Sequence, residues 1–174
     1  MKILKGYLWL VFPLLLFCTS CGYTRKTVLP QNIKTIYVET VKNEIPVDQI
    51  YAYEPGLEIA ITNAIIKRLH RDGTLRVVSR EEADAVLDAR LIGFEQEGVR
   101  FSKIESIDEY RLFIVLSMQL VNGKTGEVIW SESNFSGNTE YFVSAVRSIA
   151  RQEAAQRAIQ RLAVNVVDRI VEDW

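Results

Sequence analysis

Two cysteines three positions apart, Cys18 and Cys21, are the residues of this sequence with the most recognisable chemistry. Their C-x-x-C spacing is that of redox and metal-binding pairs, which act in a folded setting beside a helix terminus. Here the pair ends a leader in which Lys2 and Lys5 precede an apolar run over residues 7–17. A basic start, an apolar stretch too short to span a bilayer and small residues before a cysteine are typical of a bacterial lipoprotein signal peptide. The pattern therefore predicts lipidation rather than redox chemistry.

The residues before Cys21 select it as the modified cysteine. Thr19 and Ser20 provide the small side chains that a signal peptidase needs, whereas cleavage before Cys18 would place the bulky Phe17 at the cleavage site. Cys18 stands where this type of signal usually has leucine, which is a departure from the common pattern. We expect fatty acyl chains such as palmitate on Cys21, which together hold a domain on a membrane almost irreversibly.

The leader also predicts where the protein works. Gly22 follows the modified cysteine, in place of the Asp that commonly retains bacterial lipoproteins in the inner membrane. We therefore expect a lipid-anchored protein on the periplasmic face of the outer membrane. An uncleaved transmembrane anchor is the alternative, and Pro13 within the short apolar run disfavours it.

Removal of residues 1–20 leaves 154 residues, with 19 basic and 22 acidic side chains and a formal charge of −3. This length fits one domain, so we expect a lipidated tether at 21–31 and a single domain at 32–174. The acidic balance argues against nucleic acid as a partner. With Cys21 acylated, no thiol remains for a disulfide, and burial alone must hold the domain together.

The mature chain offers little for catalysis. Its single histidine, His70, lies between Arg68 and Arg71, with no second histidine or free cysteine to complete a metal site. We expect a solvated helix residue. The acidic cluster Glu81–Asp84 could suggest acid-base or calcium chemistry, but acids at a helix start are explained by capping and by the helix dipole. No phosphate-binding glycine loop and no G-x-S-x-G motif occurs, so the sequence predicts no enzyme, no cofactor and no metal.

The spacing of apolar residues predicts the element order β-α-β-β-β-α. The elements are a strand at 33–38, a helix at 55–72, strands at 83–95, 110–121 and 127–136, and a helix at 144–171. The segment 41–53 has the character of a loop, residues 75–78 could form a brief strand, and Ser79 with Glu82 has the spacing of a capping box. Because a strand-helix-strand unit favours a parallel crossover, we expect a two-layer α+β sandwich: a four-stranded mixed sheet with both helices on one face.

Several sequence segments together resemble the LptE family of lipopolysaccharide-assembly lipoproteins. They are Cys21-Gly22-Tyr23, Leu29–Val38, Tyr53–Leu57 at the start of a helix, Asp72–Val86, and Thr125–Trp130 followed by Phe135 and Gly137. The resemblance implies an outer-membrane partner of the LptD β-barrel translocon. Such a protein sits within the barrel as a plug, helps the barrel to assemble and contacts lipopolysaccharide. A plug needs a rigid body and a tether that keeps its local concentration high, but no catalytic group.

Contact residues follow from this resemblance as hypotheses. Lipopolysaccharide has phosphates for Arg and Lys and acyl chains for apolar residues, a combination found in the predicted loop Gly98–Lys103. Arg100, Lys103 and, on a flanking strand, Arg111 are therefore candidate lipopolysaccharide contacts, and loop cations that simply solvate the domain are the alternative. A second hypothesis concerns the face of strand 110–121 that no helix covers. Since exposed apolar patches mark interfaces, its apolar residues are candidate barrel contacts: Phe113, Val115 and Val121.

Two other classes of envelope lipoprotein share this layout. One is a regulator of a periplasmic peptidoglycan synthase, and the other is a subunit of a secretion pore. The first calls for a longer tether than the roughly ten polar residues after Cys21, and the second for an amphipathic membrane-spanning hairpin. Neither feature is evident, and an envelope hydrolase is disfavoured by the missing catalytic residues.

Overall fold

A computed structural model describes residues 33–46, 55–101, 106–143 and 147–171. Its elements confirm the predicted α+β class. The strands are β1 (Thr35–Val38), β2 (Lys42–Asn43), β3 (Arg76–Val77), β4 (Ala85–Phe101), β5 (Ile107–Asn122) and β6 (Val128–Phe142); the helices are α1 (Leu57–Asp72) and α2 (Arg147–Val171), with a 3-10 turn at Arg80–Glu82.

All six strands belong to one mixed sheet, with the order β3-β1-β4-β5-β6 and β2 paired to β4. Strand β1 runs parallel to both β3 and β4, so the predicted parallel crossover is confirmed. Strands β4, β5 and β6 form the predicted antiparallel meander. The predicted strand number of four was too low, because β2 and β3 have only two residues each and so carry no periodic pattern. Strand β2 lies within the segment 41–53, which the sequence had indicated as a loop.

The core lies between the helices and one face of the sheet. Alternate residues of β5 are buried there in one cluster with apolar residues of α1 and α2. The β5 members of the cluster are Leu112, Ile114, Leu116, Met118 and Leu120. Across the helix pair, the guanidinium of Arg68 lies 3.2 Å from the carboxylate of Asp168. Both helices therefore occupy the same layer, as predicted.

The end of α1 follows its sequence signal. Gly73 adopts the left-handed conformation (φ 77°), and its N–H donates to the carbonyl of Leu69. The helical turn that the spacing of Ser79 and Glu82 indicates is present as the 3-10 turn Arg80–Glu82 with Ser79 at its N-cap, but the Ser79 side chain makes no capping hydrogen bond, so the capping box itself is absent. The N–H of Glu82 donates instead to the backbone carbonyl of Ser79 at 3.2 Å.

Helix α2 packs against β6 at Gly137, which has no side chain. A Cβ atom added to Gly137 would lie 2.6 Å from the Cβ of Leu162 and 2.8 Å from its backbone nitrogen. Real Cβ atoms do not approach other atoms this closely, so only glycine lets the helix backbone come this near to the strand.

The long strands extend beyond their predicted ends. Strand β4 continues from 95 to Phe101, and β6 continues from 136 to Phe142. The predicted loop Gly98–Lys103 was therefore wrong for its first four residues, which belong to β4, with Gly98, Arg100 and Phe101 paired to β5. The polar residues of Glu95–Glu97 are all exposed, so this stretch does not alternate between polar and apolar residues. Its pairing with β5 keeps it in the strand.

Candidate functional site

The sheet face opposite the helices is the candidate functional surface, and we call it the helix-free face. On β5 it carries the odd-numbered residues from Ile107 to Val121, because the even-numbered residues from Leu112 to Leu120 point into the core. Directly paired residues share a face, so the register assigns neighbours on β4 and β6. The chain enters the fold at Ile33, beside the start of β4, and we call that the near end. The opposite end, at Phe101 and Phe142, is the far end.

Charge and aromatic surface meet at the far end. The guanidinium of Arg100 lies 3.3 Å from the carboxylate of Glu109, the residue paired with both Arg100 and Phe142. The same guanidinium lies over the Phe142 ring, 5.4 Å from its centroid. Glu109 is almost fully buried by these neighbours, whereas the Arg100 side chain is 62% exposed. A partner can therefore reach the cation and the ring together.

A second ion pair lies one layer closer to the centre of the sheet. Arg111 donates from both Nε and Nη2 to one carboxylate oxygen of Glu140, with the Nε contact at 3.0 Å. This hydrogen bonding raises the pKa of the Arg111 guanidinium, with further contributions from Glu97 and Glu109. Arg111 is thus held across β5 and β6 by a neighbouring acid.

The centre of the helix-free face is apolar, and neighbouring side chains cover it only in part. Phe113 and Val115 are half-buried. Val115 pairs with Gly93 on one side and Ser136 on the other, so only small residues flank it. Phe113 and Val115 therefore form an apolar strip between the charged far end and the polar region that follows.

Polar side chains line a recess toward the near end. Its cavity has a volume of about 260 Å³ and its walls include Asp88, Arg90, Ser117, Gln119 and Ser131. The amide of Gln119 donates to Asp88 at 3.1 Å, and the ammonium of Lys42 lies 3.5 Å from the other carboxylate oxygen. Val121, beyond the recess, is half-buried between its pair partners Val86 and Val128.

At the near end itself, Asp84 connects three parts of the fold. One carboxylate oxygen accepts hydrogen bonds from the backbone N–H groups of Lys34 and Thr35 and from the Thr35 hydroxyl, and the other accepts from the ammonium of Lys124 at 2.9 Å. These bonds, chiefly the one from Lys124, hold the pKa of Asp84 well below its usual range. The geometry accounts for Asp84 as a structural acceptor.

The structure brings five of the sequence-predicted contact residues onto one face. They are Arg100, Arg111, Phe113, Val115 and Val121. Arg100 reaches it from strand β4 and not from a loop, which corrects the sequence prediction. Lys103 and Cys21 lie outside the described residues.

Sequence reasoning missed Phe101 and Phe142, which are 62% and 58% exposed. An aromatic residue beside a charged one is common in any sequence, and only the pairing of the strand ends reveals that these two share one end of the sheet. The sequence did contain one weak signal for this end of the sheet. Ile107 occupies an odd-numbered position of β5, as Phe113 does, so alternation places both on the helix-free face.

Among the described residues, no group of His, Cys, Asp and Glu side chains is placed to hold a metal ion. His70 is exposed in the last turn of α1. Within the same part of the chain, neither helix has the length and apolar composition needed to cross a membrane.

Comparison with known families now adds to this geometry. Residues 33–174 match the family model described as LptE, lipopolysaccharide-assembly. The chain belongs to the LptE family. Membership supports a lipopolysaccharide-assembly lipoprotein. A search among curated proteins finds no match.

The solved structures that superpose on this chain are distant from it in sequence. A protein from Xanthomonas campestris superposes with a TM-score of 0.57 at 14% identity, covering 83% of this chain and 87% of its own. A minor lipoprotein from Acinetobacter baumannii gives a TM-score of 0.51 at 15% identity, covering 81% of this chain and 92% of its own. A hypothetical protein from Chlamydia trachomatis gives 0.51 at 12% identity, with coverages of 79% and 95%. These likenesses establish a shared fold.

Proposed function

We propose that this protein is the lipid-anchored, non-enzymatic partner of an LptD-like β-barrel in the outer membrane. It sits in the barrel as a plug, assists its assembly and takes part in lipopolysaccharide transport. The observation that carries the proposal is the LptE family match over residues 33–174. After removal of residues 1–20, acyl chains on Cys21 anchor the domain on the periplasmic face through the tether 21–31.

The helix-free face fits a role in binding a partner. Its apolar strip, with Phe113 and Val115 half-buried, has the character of a surface that another protein covers. Phe113, Val115 and Val121 therefore remain our proposed barrel contacts. Because the core holds the sheet rigid from the other side, the face can dock without reorganising, which lowers the entropic cost of binding.

The experiment that tests this function is affinity purification of the tagged, lipidated protein from its native outer membrane in mild detergent, with mass spectrometry of the co-purifying proteins. We expect a large β-barrel in near one-to-one amount. Recovery of a peptidoglycan synthase, of a secretion-pore complex or of no barrel would contradict the proposal. A variant that lacks the acylation site, Cys21→Ser, serves as the control for enrichment that depends on membrane location.

Direct lipopolysaccharide contact is the finer part of the proposal, with Arg100, Lys103 and Arg111 as contacts. We expect Arg100→Ala with Lys103→Ala to weaken lipopolysaccharide binding at least tenfold, since each charge-assisted contact contributes roughly 1.5–3 kcal/mol and tenfold corresponds to about 1.4 kcal/mol. Binding is measured by titration with purified lipopolysaccharide. The matched control is Lys67→Ala with Arg71→Ala, which removes two exposed cations from α1. Equal affinities for the two double variants, with both folded, would contradict these contacts.

A further inference from the structure

Exposed apolar side chains concentrate at the far end of the helix-free face. Phe101 pairs with Ile107, two residues from Glu109, and Glu109 pairs with Phe142. The register therefore places Phe101 next to Ile107 and Phe142 next to Glu109, so the two phenylalanines flank β5 at the same end of the sheet. Their side chains are 62% and 58% exposed, which makes them the most exposed large hydrophobic side chains of the described residues. Two such exposed phenylalanines at one end of a sheet are unusual for a protein that acts alone.

The charges around these rings have a definite sign. On this half of the helix-free face the described residues contribute four carboxylates and two guanidiniums: Glu95, Glu97, Glu109 and Glu140 against Arg100 and Arg111. Both guanidiniums already lie against carboxylates, at Glu109 and Glu140. This half of the helix-free face therefore carries a net negative charge, with the two phenylalanines at its end.

This sign disfavours a second copy of the same chain as the occupant. Two copies of the same face would bring like charges together, which costs free energy in an interface.

The tether of the same chain is also a poor occupant. Strand β4 carries the chain sixteen residues from Ala85, beside the entry point, to Phe101, which is about 50 Å at the usual rise of a strand. The twelve residues 21–32, fully extended, span about 40 Å. In the proposed mature protein this segment is too short to reach the rings.

We infer that the far end of the helix-free face is a protein-docking site in which Phe101 and Phe142 insert into an apolar pocket rimmed by basic side chains of the partner. Aromatic residues and Arg are the side chains that dominate the energy of such interfaces. The inference rests on the proposed function, because the partner it names is the barrel. It moves the centre of the contact from Val115 toward the far end and assigns the sign of the partner's charge.

The test compares two double variants of the full-length, lipidated protein in the native-membrane purification. Phe101→Ser with Phe142→Ser removes the rings, and the control Ile59→Ser with Val164→Ser removes two exposed apolar side chains, 55% and 37% exposed, from the helix layer. We expect the ring variant to recover at least tenfold less barrel than wild type, as for two interface anchors. The control should recover as much as wild type. Far-UV circular dichroism of each purified protein checks folding.

A second double variant tests the sign of the partner's charge without changing the rings. Glu95→Lys with Glu97→Lys leaves both phenylalanines in place and reverses two exposed charges, so barrel recovery should fall several-fold. Unchanged recovery with both double variants, while wild type captures the barrel, overturns the inference. So does a ring variant that loses lipopolysaccharide binding but keeps the barrel, since the occupant is then a lipid. If wild type itself captures no barrel, it is the proposed function that fails.

Discussion

At the scale of single residues, Asp84 is the most connected side chain of the near end. It joins β1 to the start of β4 through Thr35 and reaches the β5–β6 turn through Lys124. Because three of its hydrogen bonds come from one strand start, its loss frees groups that otherwise fix where the chain enters the fold. The carboxyl acts through its charged form, so its contribution must depend on pH.

We predict that Asp84→Asn lowers the free energy of unfolding by about 1–3 kcal/mol at pH 7. The folded-state pKa of Asp84 is lowered, so its stabilisation is complete above the ordinary carboxyl value of 3.8 and is lost as the pH falls below it. The difference between variant and wild type should therefore shrink below that pH. Urea unfolding at a series of pH values measures it, with the exposed neighbour Glu81→Gln as control. A difference that is independent of pH would contradict the account.

At the scale of elements, the packing of α2 against β6 sets the distance between the helix layer and the sheet. Gly137 lets the helix approach at Leu162, and further along the strand Arg169 donates to Glu132 at 2.8 Å and lies 4.8 Å from the centroid of the Trp130 ring. One contact depends on the absence of a side chain, the other on a cation held between an acid and an aromatic ring. Both fix the edge strand from the helix side and leave its other face open.

We predict that Gly137→Ala costs about 1–3 kcal/mol of stability, as expected for overpacking. Truncation of Leu162 to Ala in the same chain should not restore it, because the Leu162 backbone nitrogen and Cα are also 2.8 Å from the added Cβ. Thermal and denaturant unfolding measure both variants. Gly93→Ala is the control, since its Cβ would first meet side-chain atoms at 3.3 Å and 3.4 Å. Equal costs at the two glycines would refute the special role of Gly137.

At the scale of the whole molecule, our proposals assign the membrane anchor and the partner surface to opposite ends of the sheet. The chain enters at Ile33 at the near end, and the exposed rings lie about 50 Å away along β4. A tether at one end and a docking surface at the other leave the middle of the helix-free face, with Val115 and the polar recess, for further contact. The domain can thus be held at the membrane and engaged by a barrel at the same time.

We predict that Cys21→Ser abolishes incorporation of a metabolic fatty-acid label and removes the protein from the outer-membrane fraction. Without acyl chains the domain loses the roughly 0.8 kcal/mol that each buried methylene contributes to membrane affinity. Cys18→Leu, which restores the residue usual at that position of the signal, should keep full labelling. Labelling that persists in Cys21→Ser and disappears when Cys18 is replaced by Ser would place the anchor at the other cysteine.

The sequence by itself determined the α+β class, the helix ending at Gly73, the meander and the family resemblance, because these rest on local periodicity, on turn residues and on recurring sequence segments. It also indicated which residues of β5 point away from the core. Successive side chains of a strand point to opposite faces of the sheet, whichever strands it pairs with. Tertiary structure alone decided the short strands β2 and β3, the extension of β4 to Phe101 and the placement of Phe101 and Phe142 at the same end of the sheet. These features depend on pairing between residues up to forty-eight positions apart, and no local pattern in the chain encodes that register.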